Sequence, residues 1–132
     1  MIRVANVAER NITPNGGKPV VVPVATATDV IPDQTKGQPI VEIMYRSIMN
    51  VGSNPLYYAL GQDASPANFH GILAGAGQVD ANGFGQGSSL DVSNCRLRLS
   101  VYSTAGTTVA VTILYRNDGT SQSAYNPSTG SV

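Results

Sequence analysis

Alternation of apolar and polar residues in steps of two limits the folds open to this chain. It is clearest from Arg96 to Tyr102 and again from Thr107 to Tyr115. Because successive side chains of a β-strand point to opposite faces, this period indicates strands with one buried face. We therefore predict a hairpin from Leu97 to Arg116, turned at Ser103 to Gly106. The inward residues of its first strand are predicted to be Leu97, Leu99 and Val101.

A second two-strand unit is predicted from Glu42 to Gly61. The segment from Gly52 to Pro55 separates two β-forming runs, and Gly and Pro are strong turn formers. A helix is the alternative for Pro39 to Asn50, because apolar residues there also recur every three and four positions. The β-branched content of that run favours the strand. We expect this unit to pair with the unit from Leu97 to Arg116.

Turn signals recur roughly every eight to twelve residues along the chain, and about seven to nine short antiparallel strands in that pattern are typical of a β-sandwich or jelly roll. We predict one all-β domain over residues 18–117, since a single domain is usual for 132 residues. Residues 1–17 are predicted to form an N-terminal arm or edge strand. Residues 118–132, rich in Ser, Thr, Gly and Asn, are predicted to form a flexible polar tail.

Charge is scarce in this sequence. Charged residues make up 12% of the chain, against about 25% in an ordinary soluble domain, and positive and negative residues balance. A neutral chain lacks the clustered cations that nucleic-acid binding requires, so we predict no nucleic-acid partner. Scarce charge also indicates a surface covered by other proteins. A monomer with a polar surface of Ser, Thr, Asn and Gln is the alternative.

Cysteine usage and the N-terminal sequence bear on the compartment. The single cysteine, Cys95, excludes an intrachain disulfide and a cysteine-based zinc site, and is expected to be a small buried residue. The first residues lack the long apolar core of a signal peptide. No apolar run approaches the roughly 18 residues of a membrane helix. We predict a protein made in the cytoplasm, with no export signal and no membrane partner.

Catalytic chemistry would depend on His70, the only histidine. A Ser-His-Asp site would combine it with Asp63 or Asp80 and with Ser65 or Ser88. None of these serines lies in a Gly-x-Ser-x-Gly elbow, and a lone histidine before a Gly-Ile-Leu strand is more often structural. We predict no enzymatic activity, and a small hydrolase built on His70 is the third alternative.

Ion and phosphate sites have weak signals. Asp63, Asp80 and Asp91 could bind calcium, but their spacing matches no EF-hand, and aspartate often caps turns. The glycine-rich stretches 75–77 and 83–87 lack the Lys-Ser/Thr pair of a phosphate loop. Glycine is expected there to provide positive φ at loop corners. We therefore predict neither a metal nor a cofactor.

Tyrosine dominates the aromatic residues, and tryptophan, which carbohydrate sites favour, is absent. Adjacent Tyr57 and Tyr58 must point to opposite faces of a strand. One is expected in the core, and the other exposed or at an interface. We predict partner contacts at Tyr58, Tyr102 and Tyr125. Plain exposure to solvent is the alternative for Tyr58 and Tyr102.

Three stretches carry a family resemblance: NVGSNPLYYALG from Asn50 to Gly61, GILAGAG from Gly71 to Gly77, and LSVYSTAGTTVAV from Leu99 to Val111. With these stretches, the segment from Arg46 to Asp118 resembles small structural proteins of bacteriophage particles. The resemblance covers a little over half of the chain. It implies a capsid-decorating, vertex or head–tail accessory protein that assembles as a symmetric oligomer. It implies no catalytic residues.

Residues and resemblance together predict a non-enzymatic virion structural protein, a capsid decoration or minor capsid protein made in the host cytoplasm. Its expected partners are capsid subunits and copies of itself, as in a homo-oligomer. Its termini are expected to act as arms that become ordered on assembly. The alternative is a carbohydrate- or receptor-binding β-sandwich module that uses exposed tyrosines with loop Asp and Asn.

Overall fold

The computed structural model describes residues 8–11, 17–35 and 41–117, and the side chains of 17–35 and 44–114. Within these ranges the protein is all-β, with nine strands in two antiparallel sheets. The strands are β1 (Ala8–Asn11), β2 (Val20–Val22), β3 (Thr28–Ile31), β4 (Val41–Asn50), β5 (Leu56–Leu60), β6 (Gly71–Leu73), β7 (Ser89–Asp91), β8 (Leu99–Tyr102) and β9 (Thr107–Asn117).

The two sheets pack face to face around one apolar core. The first sheet has the strand order β1-β9-β4-β7, with β2 also paired to β9, and the second has the order β3-β8-β5-β6. Both sheets contribute alternate residues to the core, as strands with one buried face do. The predicted all-β sandwich is confirmed, and the jelly-roll arrangement stays a prediction. The buried core consists of Val22, Val30, Ile31, Ile48, Leu56, Leu73, Val92, Leu99, Val101, Val109, Val111 and Ile113.

The two predicted hairpins are wrong, because each of their strand pairs is divided between the sheets. β8 pairs with β3 and β5, whereas β9 pairs with β1, β2 and β4. The chain therefore crosses from one sheet to the other between β8 and β9, and again between β4 and β5. The expected pairing of the two units is confirmed, since β4 pairs with β9 and β5 with β8. Alternation shows which face of a strand is buried, but it does not identify the neighbouring strand.

A bulge in β4 decides which of its side chains enter the core. The register with β9 shifts between Ile43 and Tyr45, so two steps on β4 match one step on β9. Such an insertion exchanges the faces of the residues on either side of it. After the bulge Arg46 is fully buried, whereas Tyr45 lies outward. The Arg46 Nη2 donates to the carbonyl of Leu97 at 2.7 Å.

The residue Leu97 is a second departure from the expected pattern. Leu97 lies in the loop before β8 and is 41% exposed, whereas Leu99 and Val101 are fully buried as predicted. The carbonyl oxygen of Leu97 instead accepts a hydrogen bond from the buried Arg46 side chain. Cys95, expected to be buried, is only half-buried in the same loop, where its N–H donates to the carbonyl of Val92.

The edge of β9 opposite to β4 is occupied by two short strands in succession. β1 pairs with residues 114–117 of β9, and β2 pairs with residues 107–109. Within the predicted N-terminal arm, residues 8–11 thus form a strand of the first sheet. The remainder of residues 1–16 and the predicted tail 118–132 lie outside the described residues.

Candidate functional site: an aromatic row on the second sheet

Four apolar side chains form a row across the outer face of the second sheet. In the strand register, Tyr57 of β5 stands opposite Tyr102 of β8 on one side and Ile72 of β6 on the other. Residues directly opposite each other in antiparallel strands share a face. The ring of Phe69, just before β6, lies 5.0 Å from the ring of Tyr57. We call Tyr57, Phe69, Ile72 and Tyr102 the aromatic row.

The aromatic row is open to solvent in the described chain. Ile72 is 53% exposed and Phe69 is 42% exposed, and both tyrosines are half-buried. The rings of Tyr57 and Tyr102 meet edge to face with their centroids 6.3 Å apart. Such tilted arrangements are the favoured geometry for aromatic pairs. The row therefore presents fixed, mutually supported apolar surface rather than separate side chains.

The loop of residues 61–70 holds Phe69 beside the sheet. The backbone N–H of Ala64 donates to the buried hydroxyl of Ser100 at 3.0 Å. Arg98, the residue before β8, contacts Asp29 of β3 at 2.7 Å and Asp63 of the loop at 2.9 Å through Nη1, so one guanidinium joins the loop to β3. The hydrogen bond to Asp29 is the largest cause that raises the pKa of Arg98, and the hydrogen bond to Asp63 is the second. These contacts place Phe69 against Tyr57.

The structure divides the predicted contact residues among different positions. Tyr102 lies in the aromatic row. Tyr58 faces inward and packs against the core, and its ring covers Gly71, where a Cβ would lie 2.5 Å from the tyrosine hydroxyl. The outward position of the pair therefore belongs to Tyr57. Tyr125 lies outside the described residues. Contact with a partner stays a prediction for all three.

The sequence held a signal for the orientation of the tyrosine pair. Tyr58 has the same parity as Leu56 and Leu60, so a strand that buries those leucines buries Tyr58 and turns Tyr57 outward. Phe69 and Ile72 had no comparable signal. Their place beside Tyr57 depends on strand register and on the course of the loop, which a single sequence does not show.

A hydrogen-bonded polar corner lies where the chain crosses between the sheets. The hydroxyl of Thr107 donates to Asn50 Oδ1 at 2.8 Å. Asn50 Nδ2 donates to the carbonyls of Asn54 at 2.8 Å and Leu73 at 3.3 Å, and Asn54 Nδ2 donates to the carbonyl of Gly106 at 2.6 Å. Asn50 is fully buried. These bonds fix the crossing, because an unpaired buried amide would be strongly unfavourable. We call Asn50, Asn54 and Thr107 the polar corner.

The glycine-rich loops pack their backbones against the polar corner. A Cβ on Gly87 would lie 2.4 Å from the carbonyl oxygen of Asn50 and 2.6 Å from that of Ala74. A Cβ on Gly75 would lie 2.3 Å from the carbonyl oxygen of Ser53. Positive φ, the expected reason for these glycines, occurs at Gly83 but not at Gly75 or Gly87. Close approach of backbones, rather than an unusual φ, explains the latter two.

The other candidate residues have local structural partners. His70 is exposed, and its Nδ1 accepts the N–H of Leu60 at 3.0 Å. Asp80 Oδ1 accepts two backbone N–H groups of its own turn. Hydrogen bonds from the hydroxyl and the backbone N–H of Ser93 lower the pKa of Asp91. In the described part of the chain, no three His, Cys, Asp or Glu residues are grouped as a metal ion would require.

Comparison with known proteins adds no relative. No family model, no curated protein and no solved structure matches the chain. A search of the described residues for a helix of the length and hydropathy needed to cross a bilayer found none.

Proposed function

We propose that this protein is a non-enzymatic structural component of a bacteriophage particle, a capsid decoration or minor capsid protein that acts through the aromatic row. The observation that carries the proposal is the continuous row from Ile72 through Tyr57 to Tyr102, topped by Phe69. Contiguous apolar surface on a soluble domain marks an interaction site more often than scattered apolar residues do. Tyrosine and phenylalanine are also enriched in protein interfaces.

The composition of the chain supports a protein partner. Charged residues are scarce and balanced, so the chain has no net positive charge to favour nucleic acid. The proposed partners are capsid subunits and further copies of this chain, and the proposed location is the virion. The expected resemblance of residues 46–118 to phage structural proteins motivates the same choice of partner.

Binding is sufficient for this function. A protein that binds only the assembled shell stabilises it by mass action, and the stabilisation grows with occupancy of the sites. The fixed geometry of the row suits that purpose, because a pre-organised surface loses little conformational entropy when it binds. The polar corner, which anchors the start of β5, keeps Tyr57 in place.

Particle association gives the direct test. Particles assembled with the chain are purified on a density gradient and probed for it by immunoblot. The variant Ile72→Thr removes apolar surface from the row while keeping a β-branched residue. Val21→Thr is the matched control, since Val21 is also the middle residue of a three-residue strand and is 67% exposed.

We expect the wild type and the control to migrate with the particles, and the Ile72→Thr variant to be depleted from them. A chain that stays at the top of the gradient in all three cases contradicts the proposal. Equal depletion of both variants would place the contact elsewhere on the surface.

A carbohydrate- or receptor-binding module is the second candidate, and the exposed rings of the aromatic row favour it. Tilted aromatic rings on a sheet face could stack against sugar rings through their C–H groups. Glycan-array binding by the wild type that is lost in Tyr57→Ser, with no migration on particles, would support this candidate over the first.

A further inference from the structure

We propose that Tyr125 of one copy binds the aromatic row of a second copy, so that residues 118–132 link neighbouring copies in the assembly. The inference rests on the proposed function and names one of its contacts. It follows from the position of the row, the place where β9 ends, and the composition of the residues that follow it.

The aromatic row and the end of β9 lie at opposite ends of the sandwich. Tyr102 is followed by a turn in which the N–H of Gly106 donates to the carbonyl of Ser103, and β9 begins at the next residue, Thr107. The row is therefore next to the start of β9. β9 has 11 residues, and its ten steps measure about 34 Å. Asn117 is thus about one strand length away from the row.

The reach of the chain decides which copy supplies Tyr125. Eight residue steps lead from Asn117 to Tyr125, and eight extended residues span at most about 29 Å. A path to the row of the same copy runs the length of β9 and also crosses from one sheet to the outer face of the other, a further distance of about 10 Å. On these lengths the backbone of Tyr125 falls short of its own row, whereas a neighbouring copy can present its row beside Asn117.

The composition of residues 118–132 fits the row. Tyr125 is their single aromatic residue, and Pro127 follows it closely. After Asp118 the segment has no charged residue, so docking against apolar rings would not desolvate a charge. The tilted rings of Phe69, Tyr57 and Tyr102 offer both faces and edges to a further ring.

Mixed disulfide cross-linking tests the proposal on the full-length chain. Two variants are prepared in a Cys95→Ser background, one with Ile72→Cys and one with Tyr125→Cys, distinguished by an affinity tag on one of them. They are mixed, allowed to assemble and oxidised. The control mixture replaces Ile72→Cys with Val21→Cys, which places the thiol on an exposed position of the first sheet.

We expect a covalent heterodimer between positions 72 and 125 and none between positions 21 and 125. A chain that carries both Ile72→Cys and Tyr125→Cys and closes within a single copy would overturn the proposal. So would an assembly in which position 72 cross-links only to position 72, which would indicate that two rows face each other.

A double-mutant cycle gives an independent measurement that needs no disulfide geometry. Tyr125→Ser and Ile72→Thr are each expected to weaken self-association about tenfold, and the combined variant little more than either one, because both remove the same contact. Additive losses would overturn the proposal. Assembly unaffected by Tyr125→Ser would overturn it while leaving the proposed function standing, whereas a monomeric wild type absent from particles would remove the proposed function as well.

Discussion

The polar corner and the aromatic row include neighbouring residues of one stretch of the chain. The corner buries a polar side chain, whereas the row exposes apolar side chains. At the corner, Asn50 is fully buried and hydrogen-bonded. A few residues further on, Tyr57 stands on an outer face beside the exposed Phe69 and Ile72. The corner holds the two sheets in position, and the row leaves apolar surface for a partner. One end of this short segment therefore stabilises the fold, and the other end provides the surface proposed to contact a partner.

The largest loss of stability is expected from Gly87→Ala, because the added methyl group would clash with the backbone next to the polar corner. The new Cβ would lie between the carbonyl oxygens of Asn50 and Ala74, at 2.4 and 2.6 Å, and neither is the end of a flexible side chain. We expect a loss of about 3 kcal/mol or more in the free energy of unfolding, measured by urea denaturation.

Gly77→Ala is the control for that experiment, because a Cβ at Gly77 would meet nothing within 4 Å. It should change the free energy of unfolding by less than about 0.5 kcal/mol. Equal destabilisation by both substitutions would show that the close approach at Gly87 is not what matters.

The next effect is expected from Thr107→Val, which keeps the size of the side chain and removes its hydroxyl. Asn50 Oδ1 would lose its donor at a buried position. We expect a loss of about 1–3 kcal/mol in the free energy of unfolding. Thr108→Val is the neighbouring control, since the Thr108 hydroxyl makes no hydrogen bond with the described residues. A loss no larger than that of the control would show that the Thr107 hydroxyl does not contribute to the stability of the polar corner.

Ile72→Thr should show the reverse pattern in the aromatic row. The side chain is 53% exposed, so the free energy of unfolding should change by less than about 1 kcal/mol. Self-association should weaken about tenfold, as expected for the loss of one apolar contact. Sedimentation velocity measures the association, and denaturation of the dilute chain measures stability. A variant that loses stability but associates normally would contradict the division between corner and row.

The smallest effect is expected from Arg98→Gln. The substitution releases Asp29 and Asp63 from an exposed ion pair, and exposed pairs contribute little to stability. Because the pKa of Arg98 is raised, its guanidinium loses its charge only at strongly alkaline pH, and the charge of Arg98 should not change near neutrality. We expect a slight weakening of association, because the loop that carries Phe69 is held less firmly. The difference in self-association between the variant and the wild type should shrink in 1 M salt, where the Debye length is about 3 Å. A difference that grows with salt would rule out the ion pair as its cause.

Several elements of the fold were predictable because they depend on local pattern. The alternation of Val109, Val111 and Ile113 identifies a strand that buries one face, and all three are buried. The same pattern could not show that β8 and β9 belong to different sheets, since that depends on long-range pairing. The burial of Arg46 was also hidden, because a bulge exchanges the faces of β4 and the sequence does not mark its position.

The candidate site was predictable only in part. Tyr102 was singled out from its place on a strand, and the parity of Leu56 and Leu60 would have selected Tyr57 over Tyr58. Phe69 joins the row through the loop that Arg98 and Ala64 attach to the sheet. No short-range pattern encodes that arrangement, since it depends on residues far apart in the sequence.

Hydroxyl-radical footprinting of the assembled protein tests most directly whether the aromatic row is the contact face. The modification rates of Tyr57, Phe69, Ile72 and Tyr102 are compared by mass spectrometry between the dilute chain and the assembly, with Val21 and Val79 as exposed references. We expect strong protection of the four row residues and unchanged rates at the references. Protection of Val21 and Val79 with unchanged rates in the row would contradict the central claim.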